Sequence, residues 1–278
     1  TPGILLAPGW SHNPTVAAAL QAKTEGINGN FDCVTYLDIS TDPEEDGAEV
    51  YTDVKTAKEA LGATSPHAAA LWPMGAVGDK IYYLSAMFAA MTAYTDAGNS
   101  DVPYESPSNK DLKITATVLK DGTEILLDQQ QANDLLNANG VITAINANGY
   151  KAWGNNTAAY PSTTDPKDRW LAVRRFFDWD GNNFILTYFQ KADKPGNTRL
   201  IQSIVDSQNI IGNGYVARDY CAGYRTEFKS DENPITNLLA GHLTTHTYLA
   251  PYIPAEYIEN IREYDTKALE AALTGGGE

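Results

Sequence analysis

A chain of 278 residues with 43% apolar side chains has material for one large or two ordinary domains around a buried core. Its 35 acidic and 20 basic residues leave a formal charge of −15, the opposite of the basic patches that nucleic acids and anionic membranes select, so neither is an expected partner. No apolar run approaches the roughly 20 residues that cross a bilayer, and no basic region leads into an apolar stretch at the N-terminus.

The first hundred residues alternate short apolar runs with amphipathic ones. Ile4 to Ala7 reads as a strand, Pro8-Gly9 as a turn, and Ser11 or Asn13 with Pro14 as the start of a helix through Val16, Ala17 and Leu20. Cys33 to Ile39 is a second strand, Asp42 to Glu49 an acidic loop, and Val50 to Leu61 a second helix. Ala68 to Trp72 is a third strand, and Lys80 to Tyr94 a third helix with Leu84, Phe88 and Met91 on one stripe. Fully apolar strands separated by helices predict a parallel sheet covered on both faces, a doubly wound α/β domain.

Ile114 to Leu119 and Glu124 to Leu127 flank Asp121-Gly122 as a hairpin. A helix over 128–138 ends at Asn139-Gly140, a pair suited to the left-handed turn that closes helices. Val141, Ile142 and Ile145 then form a strand, Asn148-Gly149 a tight turn, and the returning strand carries Tyr150 and Trp153. Residues 158–166, AAYPSTTDP, are small, polar and interrupted by proline, so the boundary falls there. Residues 1–157 form one unit, with 19 acidic and 8 basic side chains. Residues 158–278 form an α+β second unit, with 16 and 12. The first, more acidic unit is the better candidate for a solvated exterior.

In the second unit, Trp170 to Arg175 precedes DWDGNN (178–183), read as an Asp-Gly turn. Its alternating acids resemble a calcium loop, but Phe189 stands where the twelfth-position glutamate belongs. Thr198 to Val205 reads as a helix, Ile210 to Arg218 as a strand, and Asn233 to Leu239 as a short segment. Next come a strand over His242 to Leu249, a bend over Pro251 to Pro254, and a strand over Tyr257 to Tyr264. A short helix capped at Asp265-Thr266 runs through Leu273, and Gly275 to Gly277 trail off.

Catalytic and metal chemistry find little purchase. The four histidines, His12, His67, His242 and His246, stand in no Ser-His-Asp context, and no serine lies in a Gly-x-Ser-x-Gly elbow. Gly75-Ala76-Val77-Gly78 lacks the spacing and the Lys-Ser/Thr of a phosphate loop. His242 and His246 have no third ligand nearby, and Cys33 and Cys221, far apart, read as small buried hydrophobes. No catalytic residue, cofactor or metal site is expected. An α/β enzyme or binding protein would place its site at the strand ends, near Gly9 to His12 and Trp72 to Gly78.

Three ordered motifs carry a family resemblance. They are the strand ending in Ala7-Pro8-Gly9, the segment Ser106-Pro107-Ser108-Asn109-Lys110, and Gly149-Tyr150-Lys151-Ala152-Trp153-Gly154-Asn155-Asn156-Thr157 after a Leu-Leu-Asn helix end. Together they resemble the tail sheath proteins of contractile phage tails, R-type bacteriocins and related injection machines. The family commonly has Arg where this chain has Lys151 and Asn156. Trp170 to Arg175 is similar to the W-A-F-x-x-V-R-R segment that opens the family's C-terminal domain and leads into a helix, a pattern from which DWDGNN departs.

The resemblance implies a subtilisin-like first domain without a triad, and further sequence ahead of Ile4. It also implies a structural role. Subunits would assemble with themselves as stacked hexameric rings around a tail tube protein, bounded by baseplate and terminator proteins, in a virion tail or phage-tail-like particle built in the bacterial host cytoplasm. Contraction would rearrange those subunits, with exchanged terminal strands as hinges. Tyr257, Ile258, Ile261 and Tyr264 are the expected intersubunit strand, an ordinary strand within the chain being the alternative, and the second unit is expected nearer the tube. Tyr150, Trp153 and Trp170 are expected in the core. A surface-layer protein would share the self-assembly without the ordered motifs.

Overall fold

The computed structural model describes residues 3–275. It opens with β1 (Ile4–Leu6), α1 (Pro14–Thr24), β2 (Val34–Asp38), α2 (Val54–Leu61) and β3 (Ala68–Leu71), in the predicted alternation. The Asn13 side chain accepts from Thr15 N and Val16 N, and Pro14 follows it, which fixes where α1 begins. The second helix starts at Val54 rather than Val50 and ends at Gly62, whose φ is +69°.

After β3 comes a hairpin that periodicity did not show. β4 (Met74–Val77) and β5 (Lys80–Tyr82) pair antiparallel across Gly78-Asp79, so α3 (Leu84–Gly98) begins four residues later than expected. A two-residue turn with Gly78 at φ +58° matches strand twist, and the glycine serves that turn. The predicted hairpin at Asp121-Gly122 is present in shortened form: Val118 bridges Glu124, Leu119 N donates to Thr123 O and Ile125 N to Thr117 O, while the other edge of β6 (Ala116–Val118) pairs with β4.

α4 (Gln129–Gln131) opens with a reciprocal Asp128/Gln131 capping box. It runs on through a wide turn, Ala132–Leu136, and a tight one, Asn137–Asn139, to Gly140 at φ +68°. β7 (Val141–Asn146) and β8 (Tyr150–Trp153) then pair around Asn148-Gly149 as expected.

The main sheet has the order β1-β2-β3-β7-β8; its first four strands are parallel and β8 antiparallel. Ala17 of α1, Val54, Ala57 and Leu61 of α2, and Leu136 pack with Leu37, Ala68, Ala70 and Val141 in one cluster. Leu84, Phe88 and Met91 of α3 pack with Val34, Tyr36, Ala69, Leu71 and Ile142 in another. Alternate residues of the strands thus serve opposite faces. Each large side chain fully buried here contributes roughly 1.5–3 kcal/mol.

α5 (Pro166–Arg169) and α6 (Leu171–Tyr188) follow. Leu171 joins the α3-side core of the sheet, and Trp170 and Tyr150 are buried as expected, whereas Trp153 is only half-buried. α6 runs straight through DWDGNN, which corrects the turn expected there and restores the helix that the resemblance implies. Tertiary partners decide it. Asp178 faces His67 at 3.1 Å, Asp180 accepts from the Tyr224 hydroxyl, and the Asn182 amide exchanges hydrogen bonds with the main chain of Asp32. Polar residues that favour a turn in isolation are held helical by bonds made elsewhere.

α7 (Thr198–Ala217) absorbs Ile210 to Arg218, where a strand was expected. Its buried residues Ile204, Gln208 and Gly212 recur every four positions, and a Cβ at Gly212 would collide with the Tyr224 side chain. β9 (Cys221–Glu227), α8 (Ile235–Leu239), β10 (His246–Pro251) and α9 (Thr266–Leu273) complete the chain. β9 and β10 form a two-stranded antiparallel sheet. Phe176, Tyr220, Cys221 and Tyr224 close a third core with Val102. Both cysteines are buried and free. The strand expected over Tyr257 to Tyr264 is not one within this chain: these residues pair with no strand and lie exposed. Gly276 and Gly277 lie outside the described residues.

Candidate assembly interface

The resemblance motifs fall in two places. Pro8 and Gly9 end β1 at one edge of the main sheet. The other two motifs meet at the opposite edge, on β8. There the main-chain N–H of Asn109, at φ +60°, donates to Ala152 O, and Ala152 N donates to Lys110 O, so the 109–112 segment caps an edge that would otherwise be open. Ser106 Oγ donates to Asn155 Oδ1 and accepts from Ser108 N, while Ser108 Oγ accepts from Gly154 N at 3.0 Å. Gly154 sits at φ +136°, where a Cβ would be 2.6 Å from the Asn137 amide. Gly149 and Tyr150 supply the hairpin turn and a core ring, and Pro107 is buried.

These bonds frame a cavity of about 680 Å³ lined by Ser106, Asn109, Trp153, Asn155 and Arg169, with Tyr252 to Tyr257 along one wall. Trp153 Nε1 donates to Asn133 Oδ1 at 2.7 Å. Glu256 tethers the C-terminal arm: Asn155 Nδ2 donates to its Oε1 at 3.1 Å and Arg169 to its Oε2 at 3.3 Å. Arg169 in turn stacks over Trp170 and Tyr160 and donates to Asn156 Oδ1. Asn156, one of the two positions where the chain departs from the family pattern, thus accepts from an arginine supplied by α5. The motif residues therefore hold a clasp from which the arm leaves. Sequence reading singled out Ser106 to Asn109 and Gly149 to Asn155, but missed Arg169 and Glu256. Two lone charges 87 positions apart carry no local signal.

Beyond the clasp, Tyr257, Ile258, Ile261 and Tyr264 are 81, 85, 80 and 76% exposed. Four large apolar side chains unburied on eight residues make a continuous apolar stretch that nothing among the described residues covers.

The second sheet offers an open edge. Asn209 of α7 donates to Thr226 O and accepts from Thr226 N, so Thr226 turns its main chain away from β10. Thr226 pairs in register with Thr247 and Tyr224 with Leu249. Antiparallel alternation then directs the N–H and C=O of Thr247 and Leu249 outward from β10, where no strand among the described residues pairs with them.

The strand ends hold a buried polar knot. Asp38 accepts from Ser11 Oγ at 2.9 Å, Ser85 Oγ at 2.5 Å and Ser85 N at 2.8 Å, and burial raises its carboxyl above the usual range. Both hydroxyls point at this carboxylate, and no histidine nitrogen bonds either of them among the described residues. His12 stacks on Tyr83, and His67 Nε2 lies 2.8 Å from Arg174. His246 pairs with Glu232. The knot fastens α3 to β2 and engages the hydroxyls of both Ser11 and Ser85.

The chain matches no family model. It is 27% identical over 259 residues to the tail sheath protein of Burkholderia phage BcepMu, covering 89% of this chain and 52% of that protein. With the major tail sheath protein of Serratia phage KSP20 the figures are 24% over 238 residues, 84% and 58%. The chain thus spans a little over half the length of these relatives. Its fold is similar to that of the sheath complex of an extracellular contractile injection system, PVC, in the contracted state, with a TM-score of 0.77, 20% identity, and coverage of 96% of this chain and 72% of that one.

Proposed function

We propose that this chain, a member of the contractile tail sheath family, is a structural subunit that assembles with itself into stacked rings around an inner tube. Contraction of those rings drives the tube through a cell envelope. Residues 1–157 act as a subtilisin-like doubly wound domain without catalytic machinery, and residues 158–278 as the smaller C-terminal domain lying nearer the tube. The partners are further copies of the chain, the tube protein, and the baseplate and terminator proteins at the ends. The place is a virion tail or phage-tail-like particle built in a bacterial cytoplasm.

One observation carries the reading. A tethered arm with four exposed apolar residues and an open strand edge at β10 occur in the same molecule. A strand without a partner in its own chain can complete a neighbour's sheet through main-chain hydrogen bonds. Repeated head to tail, that contact does not close on itself and gives a helical tube. The arm leaves through the clasp, so the link between subunits is flexible beyond Glu256 while its root stays fixed, as a hinge requires.

Negative-stain electron microscopy of the concentrated protein, expressed alone and with whatever its reading frame encodes on either side, tests this. Striated hollow tubes are expected from at least one form. Monodisperse particles from both would overturn the proposal, and a flat lattice would favour a surface-layer protein.

A further inference from the structure

Beneath the open edge of β10 lies a groove of about 240 Å³, walled by Phe177, Gly181 and Phe184 of α6 and by Thr245, Thr247 and Leu249, with Asp180 in its lining. Building on the assembly reading above, we propose that this groove receives one face of the arm of a second copy, the face carrying Ile258, Asn260, Arg262 and Tyr264, with the Arg262 guanidinium paired to Asp180.

The groove opens between sheet and helix, so a strand added beside β10 points every second side chain into it. Two faces are available. One carries Tyr257, Glu259, Ile261 and Glu263, and would bring two carboxylates toward Asp180. The other carries a single charge, Arg262, of opposite sign. Asp180 is buried, accepts hydrogen bonds from the Tyr224 hydroxyl and has no cation paired with it among the described residues. The Tyr224 ring position is fixed in turn by Gly212 and Gln208.

A guanidinium arriving there meets a carboxylate already shielded from water, where like charge is strongly disfavoured and opposite charge sets register. The apolar walls suit Ile258 and Tyr264. The same contact gives the arm a direction of recognition that main-chain pairing lacks, since any strand satisfies the bonds of Thr247 and Leu249 but only one face satisfies Asp180.

The test uses the full chain. Gly181→Cys and Arg262→Cys are made in separate preparations, mixed and oxidised; a Cβ at Gly181 meets nothing within 4 Å, so that variant folds without strain. A disulfide-linked heterodimer is expected. Absence of the link from the mixture overturns the proposal. In parallel, Asp180→Lys or Arg262→Glu alone should raise the concentration needed for assembly roughly tenfold or more, and the two together should restore much of it. Singles that assemble like the parent, or a double no better than the singles, overturn it too. Tubes without the cross-link remove this contact but keep the sheath reading. A cross-link without tubes does the reverse.

Discussion

Asn209 seals one edge of the C-terminal sheet by bonding twice to a single residue, Thr226: its Nδ2 donates to Thr226 O at 2.9 Å and its Oδ1 accepts from Thr226 N at 2.8 Å. A side-chain amide thus stands where the next strand would. β9 is closed by its own chain while β10 stays open, and the sheet can grow in one direction only. Natural sheets blunt edges in this way, and the unblunted edge of β10 is the one that a partner strand could join.

Replacing Asn209 with Ala removes both bonds and exposes a second edge. A loss of about 1–2 kcal/mol is expected, seen as a fall in melting temperature of roughly 2–8 °C, with disordered aggregates beside any tubes. A melting temperature equal to the parent's would show that water replaces the amide without cost.

Gly154→Ala attacks the clasp. The backbone at φ +136° admits almost only glycine, and the added methyl would press on the Asn137 amide at 2.6 Å and on Ile142 Cα at 3.2 Å. Denaturant titration should show a loss of about 1–3 kcal/mol, and Trp153 fluorescence should shift as its bond to Asn133 loosens. An unchanged midpoint would mean that the segment relaxes freely.

Asp180 makes stability depend on pH. Burial pushes its carboxyl up to about 6, above the ordinary 3.8. At neutral pH the ionised form burdens the folded state. As pH falls through 6 towards 4, the folded state takes up its proton before the unfolded state does, so this group's contribution grows more favourable by up to about 3 kcal/mol. Asp180→Asn should therefore be more stable than the parent at pH 7, and the gap should close between pH 6 and 4. A gap that stays constant over that window would assign the difference to packing.

The arm should matter for assembly and hardly at all for folding. Truncation after Pro251 removes the exposed residues and the partly exposed Glu256–Arg169 pair, a contact worth about 0–1 kcal/mol. Calorimetry should give a melting temperature within a few degrees of the parent, while sedimentation shows no large species. A collapse of stability would mean that the arm belongs to this chain's own core.

The strand-helix alternation of the first half, the Asn13-Pro14 helix start, the Asn139-Gly140 helix end and the Asn148-Gly149 hairpin were all legible in the sequence, because each is fixed by neighbours within a few residues. The same holds for the Ser106 to Asn109 and Gly149 to Asn155 motifs, whose glycines and short polar side chains mark special backbone geometry wherever they occur. DWDGNN and Ile210 to Arg218 misled, since the one is held helical by His67, Tyr224 and Asp32 and the other by packing against β9.

The amide that closes β9, the tether between Glu256 and Arg169, and the groove around Asp180 could not be seen at all. Each joins residues separated by 17 to 87 positions, and local periodicity holds no information about which distant side chain a fold will bring within 3 Å. Sequence by itself determined the strand-helix alternation of the first half, its locally fixed caps and turns, and the likeness. Only the tertiary structure decided which strand edge is sealed, which is open, and where the arm leaves the body, because those outcomes depend on hydrogen bonds between elements that meet only after the core has formed.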